Sequence, residues 1–156
     1  MTCLLAYGWA YCKRAEGPSV FQAIIASYVD DELDAQHQVS EEEYLVTEGA
    51  ANKINTAHER GARVIAVGTT VVRALESVAV ESGKIQARHG YTRLRITARH
   101  RLRAVDGLLT GLHEPEASHL DLLTAFLPSH EIQRAYEDAV RQKYLWHEFG
   151  DLNLIV

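Results

Sequence analysis

Cysteine is nearly absent from this 156-residue chain, which has only Cys3 and Cys12. Two thiols cannot build the disulfide framework of a small secreted domain, and their spacing matches no metal-ligand motif. A reducing, cytoplasmic setting fits this usage, and no metal is expected. Long apolar runs are missing too: nothing approaches the roughly 18 consecutive apolar residues of a membrane-spanning helix, so no membrane partner is expected. The apolar opening Met1–Cys12 lacks a basic flank, so a secretory leader is not expected. Basic charge is also in deficit, with 16 Lys and Arg against 21 Asp and Glu and a net charge of −5. Nucleic-acid binding would need a local patch. Internal repeats and low-complexity linkers are lacking. At 47% hydrophobic and 24% charged residues, what remains reads as one ordinary globular domain.

The most informative stretch that is present is Val64-Ile-Ala-Val-Gly-Thr-Thr-Val-Val-Arg-Ala-Leu-Glu-Ser77. A short apolar run ends at Gly68, two hydroxyl residues follow, and a helical pattern begins. This predicts a buried strand over Arg63–Val67, a tight turn, and a helix over Thr70–Glu81 with Val71, Leu75, Val78 and Ala79 on one face. Such a turn presents backbone N–H groups and hydroxyls to a polar or anionic ligand.

Elsewhere the periods alternate. Val20, Phe21, Ile24, Ile25, Tyr28 and Val29 recur at helical spacing, and acidic Asp30–Glu43 reads as a solvated turn or helix end. Thr47 caps a helix running to about Arg60, closed by Gly61. Tyr91–Thr97 and Arg101–Val105 alternate as half-exposed strands do, and Asp106-Gly107 is a turn before the strand-like Leu108-Leu109-Thr110. Helices are expected over Glu116–Leu127 and His130–Tyr144, the latter with Ile132, Ala135, Tyr136, Ala139 and Val140 in one stripe. Asp151–Val156 reads as a last strand inserted in the sheet. The order argues for α/β layers with one antiparallel section near residues 84–110.

Three segments together resemble one family. They are Val67–Ser77, then Val105-Asp-Gly-Leu-Leu-Thr-Gly-Leu-His-Glu-Pro-Glu-Ala-Ser-His-Leu120, then Ala135–Val140 with its continuation Tyr144-Leu-Trp-His-Glu-Phe-Gly-Asp151. Their order and spacing resemble the C-terminal half of the S-adenosylmethionine:tRNA ribosyltransferase-isomerase family of queuosine biosynthesis. The resemblance covers residues 44–156 as an α/β domain and leaves 1–43 as a poorly matched segment. It implies a three-layer α/β/α fold with a mixed sheet, lacking the family's β-barrel domain. It also implies transfer and isomerisation of the ribosyl group of S-adenosylmethionine onto a 7-deazaguanine in tRNA, here by a truncated or partial form. The alternative is a catalytically silent α/β binding or interaction module derived from that family. Three departures stand out. His37 alone remains of two histidines that precede a glutamate, Gly111-Leu112-His113 replaces Asn-Phe-His, and Ala98-Arg99 replaces Pro-Gly.

The implied reaction needs a base for an acidic proton beside a sulfonium, a polar grip on ribose hydroxyls, and a surface for stacking bases. His113 and Asp106 are the catalytic candidates. Gly68, Thr69, Thr70, Arg73, Glu76 and Thr110 are the candidates for holding S-adenosylmethionine. Each has a plainer reading. Arg73 and Glu76, three apart on a helix, form a surface ion pair by default, and Asp106 before glycine is by default turn chemistry. His113, His119 and His147 match no compact zinc spacing. Trp146 or Phe149 could stack on a base or pack in the core. Arg88, Arg93, Arg95, Arg99, Arg101 and Arg103 are either a solvated face or a patch for the tRNA backbone. An exposed sheet face or edge would favour a homodimer.

Overall fold

Alternating short apolar runs and amphipathic helices build a mixed α/β fold around one seven-stranded sheet. The computed structural model describes residues 4–14, 17–27, 41–113 and 119–156, with β1 and β2 given as backbone and register. The strands are β1 (Leu4–Arg14), β2 (Gly17–Ser27), β3 (Glu42–Val46), β4 (Val64–Val67), β5 (Arg88–Thr92), β6 (Gly107–Gly111) and β7 (Leu152–Ile155). Their spatial order is β5-β3-β2-β1-β4-β6-β7. Among the described strands only β4 and β6 pair in parallel; every other neighbour is antiparallel. The single antiparallel section read from the sequence is therefore corrected: antiparallel pairing is the rule. β7 lies at an edge instead of being inserted.

Helix α1 (Glu48–Glu59) starts where expected, with Thr47 Oγ1 accepting from the Ala50 N–H at 3.2 Å. Gly61 follows its end at φ +64°, the left-handed region that glycine adopts without strain. Helix α2 (Thr69–Val78) follows β4 and ends three residues before Glu81. There the chain turns through Gly83 at φ +81°, and Ala79 bridges Ile85. Helix α3 (His119–Leu123) ends four residues before the predicted Leu127, and residues 116–118 lie outside the described residues. Helix α4 (Ser129–Arg141) stops short of Tyr144 because Lys143 takes φ +61°.

Two strand assignments change for physical reasons. Val20–Ile25 belong to β2, not a helix, and pair with β1 over eleven residues. A short apolar run of β-branched and aromatic residues satisfies both periods, and the partner strand decides. Tyr28, Val29 and residues 30–40 lie outside the described residues. Of the predicted strands at 91–97 and 101–105, only the first two residues of the former enter β5. Thr92 Oγ1 accepts from the Leu94 N–H, turning the chain away. The Arg103 and Ala104 N–H groups go to the Glu76 carboxylate instead of a neighbouring strand.

The core lies on the sheet face carrying Tyr44, Val46, Ala66, Leu108 and Ile155, all buried. Seven of the ten α2 residues are buried, wider than the stripe expected. α1 contributes Ala50, Ala51, Ile54 and Ala57, and Asn55 ties it to the main chain of Ile85 in both directions. The opposite face is more open: Ile65, Val67 and Leu109 are half-buried, while Leu45, Leu152 and Leu154 are exposed.

Candidate functional site

The β4–α2 turn and the C-terminal end of β6 meet because β4 and β6 are parallel neighbours, with Val67 opposite Leu109. The carboxyl ends of such strands are where open α/β sheets hold ligands. Gly68 makes the turn at φ +96°, and its N–H donates to the Leu109 carbonyl at 2.8 Å. Gly68 is also the cap residue of α2, so no side chain occupies the helix N-terminus. The first-turn N–H groups of a helix have no partner within it, so Thr69 and Thr70 present donors beside two half-buried hydroxyls. On β6, Thr110 is buried toward the core face and pairs in register with Asn153.

Beyond Gly111 the chain delivers His113 to a cluster built by the C-terminal segment. The 3-10 helix His147–Phe149 is anchored by the His147 N–H on the Leu112 carbonyl at 2.8 Å. The rings of His113 and His147 stand 4.3 Å apart at 40°. Gly111 permits this, because a Cβ there would lie 2.6 Å from the Cβ of His147. Trp146, at φ +70°, stacks on Tyr136 of α4 with ring centres 6.1 Å apart. Asp151 holds this turn by accepting from the Leu145 N–H at 2.5 Å. Burial raises the Tyr136 phenol above its ordinary range, and the main chain of His113 partly opposes this. His147 Nδ1 is buried without a hydrogen-bond partner among the described residues.

Other candidates are placed elsewhere. Asp106 sits at the opposite end of β6, a strand length of about 16 Å from Gly111. Its Oδ2 accepts from the Val64 N–H at 2.7 Å, and its own N–H donates to the Val64 carbonyl. It registers the starts of β4 and β6. Arg73 and Glu76 do not form the surface pair expected from their spacing. Both are buried, Arg73 against Glu42 at 2.5 Å and Glu76 under the loop at residues 100–104. Arg73 also donates from Nε to the Leu94 carbonyl at 3.0 Å. Desolvation raises the Glu42 carboxyl and lowers the Arg73 guanidinium, while their mutual attraction opposes both shifts. One Glu42 oxygen has no partner among the described residues.

The six arginines lie on β5 and the irregular loop after it, not on a strand pair. All six are exposed; Arg93 meets Glu41 at 3.3 Å and Arg95 meets Asp121 at 2.6 Å. The His119 side chain is outside the described residues, and among those described no three metal-ligating groups gather. Phe149 is exposed and Trp146 is half-buried. Spacing gave no signal for Tyr136, His147 or Glu42 as site groups: a core stripe, a lone histidine and an acidic run are common patterns. No described helix is long and apolar enough to cross a membrane.

Comparison with known proteins gives a consistent result. The family model described as queuosine biosynthesis protein matches residues 23–155. The S-adenosylmethionine:tRNA ribosyltransferase-isomerase of Caldanaerobacter subterraneus subsp. tengcongensis is 43% identical over 128 residues, covering 82% of this chain and 38% of its own length. The protein of the same name from Halothermothrix orenii is 36% identical over 149 residues, covering 96% of this chain and 42% of its own. The crystal structure of S-adenosylmethionine tRNA ribosyltransferase from Thermotoga maritima superposes with a TM-score of 0.68 at 36% identity, covering 74% of this chain and 40% of that one. The chain thus spans about two-fifths of the relatives it matches. On the match over residues 23–155 and this shared fold, the chain belongs to the queuosine biosynthesis protein family.

Proposed function

We propose that this chain forms the S-adenosylmethionine-binding part of a tRNA ribosyltransferase-isomerase, which transfers and isomerises the ribosyl group of S-adenosylmethionine onto a 7-deazaguanine in tRNA. The observation that carries this reading is the meeting of the Gly68–Thr70 turn with the His113 end of β6 across one parallel strand pair. Gly68, Thr69, Thr70 and Thr110 hold the cofactor-like donor substrate through N–H and hydroxyl groups. His113 is the base or hydrogen-bond donor, because an imidazole exchanges protons near neutrality. Arg73 and Glu76 act indirectly, through the helix and loop they fix, and Asp106 registers the far ends of β4 and β6. Isothermal titration with S-adenosylmethionine tests the reading. Binding that weakens in Thr70→Val and His113→Ala supports it; no heat at millimolar ligand defeats it.

The tRNA contact is assigned to the exposed arginines after β5. Each neutralised phosphate releases counterions, so affinity falls steeply with salt. Reversing Arg93, Arg95 and Arg101 to Glu abolishes binding with the fold intact. A salt-independent affinity rules this face out. In the finer architecture this stretch is the α/β part of the family, and a third layer covers the open sheet face. The exposed Leu45, Leu152 and Leu154 favour burial of that face in a homodimer, which light scattering reads directly. The competing reading, a catalytically silent binding module, draws on the engagement of Arg73, Glu76 and Asp106 in structural contacts. S-adenosylmethionine binding without any turnover in the presence of tRNA would favour it.

A further inference from the structure

Residues 93–106 enter no strand, yet their side chains alternate inward and outward as a strand's do. Ile96 and Ala104 are buried and His100 and Leu102 half-buried, while Arg95, Arg99, Arg101 and Arg103 are exposed. A strand takes this order from its ladder; here one face of α2 supplies it. Ser77 Oγ donates to the Arg73 carbonyl at 2.7 Å, so the Thr92 hydroxyl, 2.6 Å away, is the donor between the two. Thr92 Oγ1 accepts in turn from the Leu94 N–H, and Arg73 Nε donates to the Leu94 carbonyl. At the other end of the loop, the Glu76 carboxylate meets His100 Nε2 at 3.1 Å and accepts from the N–H groups of Arg103 at 3.0 Å and Ala104 at 2.9 Å. Residues 73, 76 and 77 share one turn of α2, so a single helix face grips both ends of the loop. On its outer side, Arg99, Arg101 and Arg103 meet no carboxylate among the described residues.

We infer that Glu76, with Ser77, is a positioning residue for RNA: it presets the loop so that Arg99, Arg101 and Arg103 meet phosphates without first having to be ordered. This rests on the assignment of tRNA to these arginines above and names what shapes that face. A loose basic loop pays its backbone ordering at the moment of binding, whereas one already held does not. Charge alone argues the other way. The Glu76 carboxylate lies directly beneath the loop, so as a charge it repels phosphates and its removal would tighten binding. Geometry and charge therefore predict opposite signs for one substitution. α2 carries the Gly68 turn at its N-terminus and the arginine loop along its buried face, so both proposed substrate contacts are built on one helix.

The test compares Glu76→Gln, which keeps the volume and one acceptor oxygen, and Ser77→Ala, which keeps every charge, with the wild-type chain. Each is titrated with an unmodified tRNA transcript from about 0.05 to 0.2 M salt, after thermal denaturation has shown it folded at the assay temperature. The folded Glu76→Gln chain should bind roughly tenfold more weakly and Ser77→Ala roughly threefold more weakly. The dependence on salt should stay as in the wild type, because the same arginines reach the same phosphates at a higher ordering cost. Equal or tighter binding by folded Glu76→Gln, with reversal of Arg93, Arg95 and Arg101 still abolishing it, overturns the positioning role and leaves the tRNA assignment standing. Should Glu76→Gln fail to fold, Ser77→Ala decides, and an affinity equal to wild type overturns the inference. Absent or salt-independent binding by the wild-type chain defeats the tRNA assignment and the inference together.

Discussion

Arg73 of α2 meets Glu42 of β3 at 2.5 Å, with each side chain only 11% exposed. The contact fastens the helix that begins at the Gly68 turn to a strand three places away in the sheet. A buried ion pair adds little net stability over an apolar pair of similar volume, yet breaking it leaves an uncompensated buried charge. Arg73→Met and Glu42→Gln should therefore each destabilise the chain by about 3–5 kcal/mol. The double variant should recover a large part of that loss. Urea denaturation of the four proteins closes the cycle, and additive single effects would refute the coupling.

The same pair sets a pH dependence. Burial raises the Glu42 carboxyl above its ordinary value, and Arg73 pulls it back. A raised folded-state carboxyl contributes stability that is fully present below its unfolded pKa and is lost as pH rises through the folded one. Removing the Arg73 charge takes away the lowering influence, so the losing window extends to higher pH in Arg73→Met. Denaturation midpoints from about pH 4 to 7 should fall more steeply for the variant than for the wild type. Parallel curves would count against a titrating Glu42.

Glu76 organises the loop that the sequence suggested was a strand. Its carboxylate, 1% exposed, accepts from the Arg103 and Ala104 N–H groups and meets His100 at 3.1 Å. Glu76→Ala strips an acceptor from two main-chain donors at once, and a loss of roughly 3–5 kcal/mol is expected. Faster amide exchange at Arg103 and Ala104 locates the effect, and protection equal to wild type would refute it.

Gly107 is required by close approach. A Cβ there would stand 2.6 Å from the Ile155 carbonyl oxygen and 2.7 Å from Ile65 Cδ1. The first is a backbone atom, so β7 must move. Gly107→Ala should cost about 1–3 kcal/mol and loosen Leu152–Ile155 first. Hydrogen exchange showing β7 as protected as before would overturn this account.

Asp106 gives a contrasting case. Loss of its Oδ2 bond to the Val64 N–H in Asp106→Ala should reduce stability by about 1–2 kcal/mol. With Asp106 at the far end of β6, S-adenosylmethionine affinity should not change. A titration showing weakened binding at unchanged stability would return Asp106 to the site.

Local chemistry was legible without coordinates wherever neighbours in sequence decide the outcome. The Thr47 cap, the Gly61 stop and the β4–α2 turn at Gly68 each depend on a few adjacent residues, and each formed, whereas at Asp106-Gly107 the chain bends and Gly107 opens β6 without a turn. Three ordered segments also carried the family, because block order survives where single motifs do not. Partner choice across the sheet was not legible. Val20–Ile25 satisfies helical and strand periods alike until β1 pairs with it, and residues 93–97 and 101–105 alternate like strands yet enter none among the described residues. Spacing of three made Arg73 and Glu76 look like partners, whereas burial sent one to Glu42 and the other to two main-chain N–H groups. The Tyr136, His113 and His147 cluster joins a helix, a strand end and a C-terminal turn, and a one-dimensional pattern holds no term for that meeting. Short-range bonding is written in the sequence order; which buried charge meets which, and which polar atom is left open, follows only from tertiary packing.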